Sequence, residues 1–200
     1  MLNSNALTTV EKVKSHLSIA PSVTLEDARL IDFINAASDY IESFCERKFK
    51  AMDHIELISV EDKWGIMPIE YPINSVTELA ISHTQEWDNA SAIVDPTAYF
   101  ISDKQTRISF IQSRARSRKS VRLKYNAGYT AIPGDLELAC IWLVEWYYRQ
   151  RQRADIGKTS MSKGDESIGI VGQVPSQINE LLHRYKRNEF GYYIGDAFSG

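Results

Sequence analysis

Apolar positions follow a helical period through the first fifty residues, switch to a period of two, and return to a helical period near residue 134. Val10, Val13 and Leu17 recur at helical spacing behind Thr8-Thr9-Val10-Glu11, which has capping-box form, and Pro21 interrupts the run. Thr24-Leu25-Glu26-Asp27 then offers an N-cap with acids in the first turn, where the peptide dipoles favour them. From there Ile31, Ile34, Ala37, Ser38, Ile41, Phe44 and Cys45 form a stripe that predicts a helix to about Lys48, with Asp32, Asp39, Glu42 and Glu46 on the other side. The alternating segments HIELISVE (54–61), IMPIEYPI (66–73) and SVTELAIS (75–82) follow, Pro68 and Pro72 confining the middle one to an edge or a connection. HTQEWDNAS (83–91) is a polar hairpin tip, TAYFIS and TRISFIQ bracket a short hairpin at Asp103-Lys104-Gln105, and KSVRLKYNAGY supplies a further strand.

The stretch YNAGYTAIPGDLELACIWLVEWYYRQRQR (125–153) breaks that strand at Asn126-Ala127-Gly128, turns through Pro133-Gly134 and opens a helix. At about 100° per residue, Leu136, Ala139, Cys140, Leu143 and Tyr147 share one face. Leu138, Ile141, Trp142, Trp146 and Tyr148 cover most of the rest, and a helix apolar nearly all round is buried on more than one side. Residues 154–175, rich in glycine and serine and without a period, predict a long flexible loop. Pro175-Ser176 opens a last helix to about Asn188, apolar at Ile178, Leu181, Leu182 and Tyr185, before an aromatic, glycine-broken tail at 189–200. The expected fold is α+β: mainly an α-helical bundle from 1–50 and 131–188, with a small antiparallel β unit inserted at 51–130 and a C-terminal helix plus extended tail.

Composition narrows the class. A chain of 200 residues, 44% hydrophobic and 24% charged, is that of one globular domain, or of one domain with an insertion. The N-terminus has no apolar core of signal-peptide type, and the longest apolar run, 138–144, is too short for a bilayer, so no membrane role is expected. Cys45 and Cys140 fall inside amphipathic helices and read as buried thiols of a reducing compartment. Gly157-Lys158-Thr159 resembles the end of a phosphate-binding loop, but Gln152 stands where that motif needs its first glycine. Ser167 in Asp165-Glu166-Ser167-Ile168-Gly169 lacks the first glycine of a nucleophile elbow, and His16, His54, His83 and His183 lie far apart without metal-ligand spacing. These patterns assemble no nucleophile, base and oxyanion donor, so the expectation is a protein without catalytic activity, cofactor or metal.

The net charge of −3 hides a segregation. No acid lies between Asp103 and Asp135, whereas Lys104, Arg107, Arg114, Arg116, Arg118, Lys119, Arg122 and Lys124 all do. QSRARSRKS (112–120) reads as a polar loop between strands: either a solvated surface, or one that meets phosphates or an acidic partner. No recognition helix, zinc finger or stacking platform accompanies it for base readout.

Four phrases, in order, carry a resemblance: TLEDARLIDFINAASDYIESFCERKF, YPINSVTELAI, VRLKYNAGYTAIPGDLELACIWLVEWYYRQR and VPSQINELLHRYKR. Together they span about 24–188 and resemble the head-to-tail connector (adaptor, or head-completion) proteins of tailed bacteriophages and prophages. The resemblance implies a structural virion protein, made in the bacterial host cytoplasm and placed at the head–tail interface. It would form a cyclic homo-oligomer, dodecameric in the virion, beneath the portal protein. That ring would extend the DNA channel and offer a platform to a neck or tail-completion protein. On this reading Trp142, Trp146, Tyr148 and Arg149 meet a neighbouring subunit, as buried aromatics and arginine do at interface centres. Arg107, Arg114, Arg116, Arg118, Lys119 and Arg122 contact passing genomic DNA or an acidic partner, and Phe190, Tyr192, Tyr193, Ile194 and Phe198 dock on the portal. The competing reading is a small non-specific nucleic-acid-binding or regulatory protein using the basic stretch at 107–124.

Overall fold

The first helix begins one residue later than its capping-box form suggests. In the computed structural model, which describes residues 1–152, 160–163, 166–169 and 174–187, α1 (Val10–His16) is capped by Thr9, whose hydroxyl accepts the Lys12 amide at 3.4 Å. Thr8 is buried instead, its hydroxyl donating to Glu137 at 3.2 Å. Helix α2 (Asp27–Cys45) has no side-chain cap; the Thr24 carbonyl accepts the Asp27 amide at 3.1 Å in a turn that leads into it. It stops where Glu46 enters the left-handed region (φ 56°, ψ 36°) and returns its amide to the Glu42 and Ser43 carbonyls.

Helix α3 (Gly134–Gln152) buries Leu136, Ala139, Cys140, Leu143 and Val144. These side chains belong to the same core as Leu30, Ile34, Ala37, Ile41 and Cys45 of α2, against which α3 packs. Helix α4 (Ser176–His183) adds Ile178 and Leu182. It is shorter than the apolar pattern predicts, and Arg184–Arg187 continue as turns, with the Arg187 amide bonded to the Cys45 carbonyl at 2.9 Å. Tyr185 donates to Asp135 at 2.5 Å and Arg184 pairs with the same carboxylate at 2.7 Å, fixing the end of α4 to the start of α3.

The strands in the middle of the chain all pair antiparallel. Strands β1 (Met52–Val60), β2 (Gly65–Ile66), β3 (Ile73–Ile81), β4 (Tyr99–Ile101), β5 (Ile108–Phe110) and β6 (Ser117–Ala127) form two three-stranded sheets, ordered β1-β6-β3 and β2-β5-β4. Central β6 turns Val121, Leu123, Tyr125 and Ala127 into a core with Val60, Leu79, Ile108 and Phe110, while Arg122, Lys124 and Asn126 alternate to the other face. Tyr125 is fully buried, yet its hydroxyl donates to Glu56 at 2.8 Å and accepts the Glu70 amide at 3.2 Å. Gly128 ends the strand at φ +112°, where an added Cβ would stand 2.5 Å from the Lys50 carbonyl oxygen. Of the segment 66–73, the first residue closes β2 and the last opens β3; the rest is connection.

The chain divides into two compact units, Met1–Arg47 with Ile132–Arg187, and Lys48–Ala131. The α+β class therefore holds, but not as a mainly helical bundle. Strands of nine, nine and eleven residues build a hydrophobic core of their own, whereas α1 and α4 have only seven and eight residues. Within 154–175, expected as a loop throughout, β7 (Ser160–Lys163) and β8 (Glu166–Gly169) pair antiparallel. Each is four residues long and rich in serine or glycine, too weak a pattern to read as a strand.

Candidate interaction surfaces

Helix α3 carries apolar side chains on two sides. With Leu136, Ala139, Cys140, Leu143 and Val144 inward, the opposite side carries Leu138, Ile141, Trp142, Trp146 and Tyr148, half-buried apart from exposed Leu138. Trp142, Trp146 and Arg149 fall at i, i+4 and i+7 and so share a face; Tyr148 stands about 120° round the helix from Trp142, on another side. Trp146 packs on Tyr147 with ring centroids 5.2 Å apart, and Tyr147 reaches back to Phe33 of α2 at 6.0 Å. Two carboxylates on this helix receive α1: Lys12 pairs with Glu137 at 2.7 Å, and the His16 ring lies 2.8 Å from Glu145. Glu145 also holds Arg149 at 2.6 Å. The His16 contact, then Arg149, keep its carboxyl below the ordinary 4.5. Arg149 is thus tied within its own helix by Glu145.

The basic stretch does not act as one surface. Arg107 pairs with Asp62, Arg122 bridges Glu78 and Asp88 at 2.8 Å each while lying over the Trp87 ring, and Lys124 reaches Glu78 at 3.0 Å. Lys124, then Arg122, hold the Glu78 carboxyl below its ordinary range. The Arg114 guanidinium lies 5.8 Å above Phe110, and its amide bonds the Lys63 carbonyl. Arg116, Arg118 and Lys119 are exposed and line, with Ser59, Glu61, Gln85 and Ser117, an open depression of about 980 Å³. The stretch 112–120 is not a loop throughout: β6 begins at Ser117, so Arg118 and Lys119 lie on a strand. A register shift opposite Ile58 and Val60 and a left-handed Lys119 (φ 43°) mark an irregularity there, and the Lys119 amide bonds the Ser59 hydroxyl at 3.0 Å. The partners Asp62, Glu78 and Asp88 were not legible in sequence, because each is brought in by antiparallel pairing or a loop tens of residues away.

Phe190, Tyr192, Tyr193, Ile194 and Phe198 lie outside the described residues, as does Gly157-Lys158-Thr159. Cys45 and Cys140 are buried, and burial pushes both thiols up to about 12, which keeps them protonated and unreactive at neutral pH. Among the described residues no cluster of His, Cys, Asp and Glu is placed to hold a metal ion, and no helix is long and apolar enough to cross a membrane.

Two helical and sheet cores, an aromatic helix with a second apolar side and an isolated cationic rim make this an α+β protein whose distinctive chemistry lies in contact surfaces. The chain belongs to the head completion protein family, whose model matches residues 6–188. Its fold is similar to that of chains in three solved structures, each matched over 93% of this chain. They are the neck of an empty gene transfer agent (GTA) particle computed with C6 symmetry (21% identity, 95% of that chain, TM-score 0.55), the neck of a native GTA particle computed with C12 symmetry (19%, 94%, 0.55), and the virion of a native GTA particle (16%, 92%, 0.57). No curated protein matches the chain.

Proposed function

We propose that this protein is a non-enzymatic connector of the head–tail neck in a phage-like particle, working as a closed ring of identical copies beneath the portal. Membership of the head completion family over residues 6–188 carries the reading. The second apolar side of α3 supports it physically: a helix bearing Leu138, Trp142, Trp146 and Tyr148 away from its own core gains by meeting another surface. The related neck structures were computed with sixfold and twelvefold symmetry, which agrees with a ring and favours twelve copies in the particle. In this reading the ring continues a channel for the genome and presents a platform to the next neck or tail component. The α3 aromatics meet a neighbouring copy, the exposed cations of β6 meet an anionic group, and residues 189–200 dock on the portal.

Electron microscopy of the purified protein, alone and mixed with its portal, tests the ring: closed rings or capped portals are expected, and monomers in both samples overturn it. Removal of 189–200 should leave a folded protein that no longer captures portal in a pull-down, and retained capture rejects that part of the proposal.

A further inference from the structure

Two clusters of exposed, like-signed charge form no ion pair among the described residues. Along the outward side of α2 and its cap, Asp32, Ala36, Asp39, Ser43 and Glu46 are exposed at steps of four, three, four and three residues, one straight stripe. Asp39 accepts a hydrogen bond from Asn5 at 2.8 Å, but none of the three acids forms an ion pair among the described residues. Arg116, Arg118 and Lys119 at the rim of the β6 depression form none either. The three anions lie on the helical unit and the three cations on the β unit.

What the rim can receive follows from its surroundings. Binding to a duplex grows with the number of phosphates neutralised. The cations that could extend the rim into a track, Arg107, Arg122 and Lys124, are already neutralised by Asp62, Glu78 and Asp88. The rim also carries Glu61, which opposes any anion, so the rim suits a ligand of few charges rather than a polyanion. A helix with well-spaced carboxylates suits it better. Asp32, Asp39 and Glu46 are seven residues apart, about 10.5 Å along the axis. Ala36 and Ser43 between them are small enough to let a second surface approach, and each arginine fork can take a carboxylate in two-pronged fashion.

We propose that the Arg116–Arg118–Lys119 rim of one copy receives the Asp32–Asp39–Glu46 stripe of a second copy, a head-to-tail contact that sets the register of the ring. It rests on the ring reading above. Because stripe and rim are different surfaces, each copy donates one and receives the other, and repetition closes if the rotation permits.

Charge reversal tests the contact in the full-length protein, with circular dichroism confirming the fold. One variant carries Arg116→Glu, Arg118→Glu and Lys119→Glu; the other carries Asp32→Lys, Asp39→Lys and Glu46→Lys. Each alone should raise the concentration for half-assembly at least about tenfold, read by light scattering in low salt. Mixing the two should restore assembly with alternating copies, since both junctions of the mixed ring are again complementary. Wild-type rings unaffected by either reversal, or no rescue on mixing, overturn the contact while leaving the ring reading standing. A wild-type protein that never assembles, with or without portal, overturns the ring and the contact with it. Rim reversal that abolishes binding of a fluorescent DNA duplex without disturbing assembly assigns the rim to nucleic acid and also overturns the proposal.

Discussion

Helices α2 and α3 are both nineteen residues long and pack on one another, yet they face the rest of the world differently. α2 has one apolar side, with Leu30, Ile34, Ala37, Ile41 and Cys45 inward and Asp32, Asp39 and Glu46 outward. α3 buries an equally apolar side and then presents Leu138, Trp142, Trp146 and Tyr148 on the other. The inner faces account for the fold of the helical unit. The outer faces do not follow from folding, and on the connector reading proposed above their contrast separates what the chain needs in order to fold from what it carries for assembly. Acids on α2 are satisfied by water or by a cationic surface; aromatics on α3 are stabilised further only if something covers them.

That contrast can be broken at either face. The largest effect should come from the shared interior: Ile34→Ala in α2 and Leu143→Ala in α3 should each cost about 2–5 kcal/mol in chemical denaturation, since both side chains are fully buried. If the α3 substitution cost far less than the α2 one, the two inner faces would not be equivalent. Next, Trp146→Ala should cost roughly 1–2 kcal/mol of stability, because the ring is half-buried, while weakening assembly by at least about tenfold in light scattering.

A smaller effect sits at the α1–α3 junction. The Glu145 carboxyl is held below its ordinary 4.5 by His16 and Arg149, so its contribution is present above that value and is lost as pH falls through the lower, folded-state one. His16→Ala removes the larger cause and should flatten the acid side of the stability–pH curve by under about 1 kcal/mol, measured by urea unfolding across that range. Smallest of all, Asp32→Asn on the outer side of α2 should leave unfolding stability within about 0.5 kcal/mol, as an exposed residue without an ion pair should.

How far the sequence anticipates this structure depends on the range of the interactions. The stripe Ile34–Ala37–Ile41–Cys45 and the doubly apolar α3 are local periodicities, and both helices form where those patterns lie. Strands β1, β3 and β6 and the β4–β5 hairpin are likewise visible as alternation, whereas β2 is not, and the resemblance to head completion proteins agrees with the family match. What depends on distant partners was not legible. The balance between helix and sheet was misjudged because β6 becomes the centre of a sheet only when β1 and β3 arrive from far upstream. The start of β6 is hidden by Arg118 and Lys119, residues that do not mark a strand, and the Lys119 amide is held there by Ser59 of β1. The basic stretch looked uniform because Asp62, Glu78 and Asp88 are distant in sequence, and once they are placed only part of it still offers free charge. Thr9 rather than Thr8 caps α1 because Thr8 is drawn into contact with Glu137 of α3.

The central proposal is that the outer side of α3 serves assembly rather than folding. Mass photometry and negative-stain microscopy of the wild-type protein beside a Trp142→Ala/Trp146→Ala variant, with circular dichroism on both, test it most directly. The account predicts closed rings from the wild type and folded, unassembled copies from the variant. A variant that forms rings as readily as the wild type, at the same concentration, would contradict it.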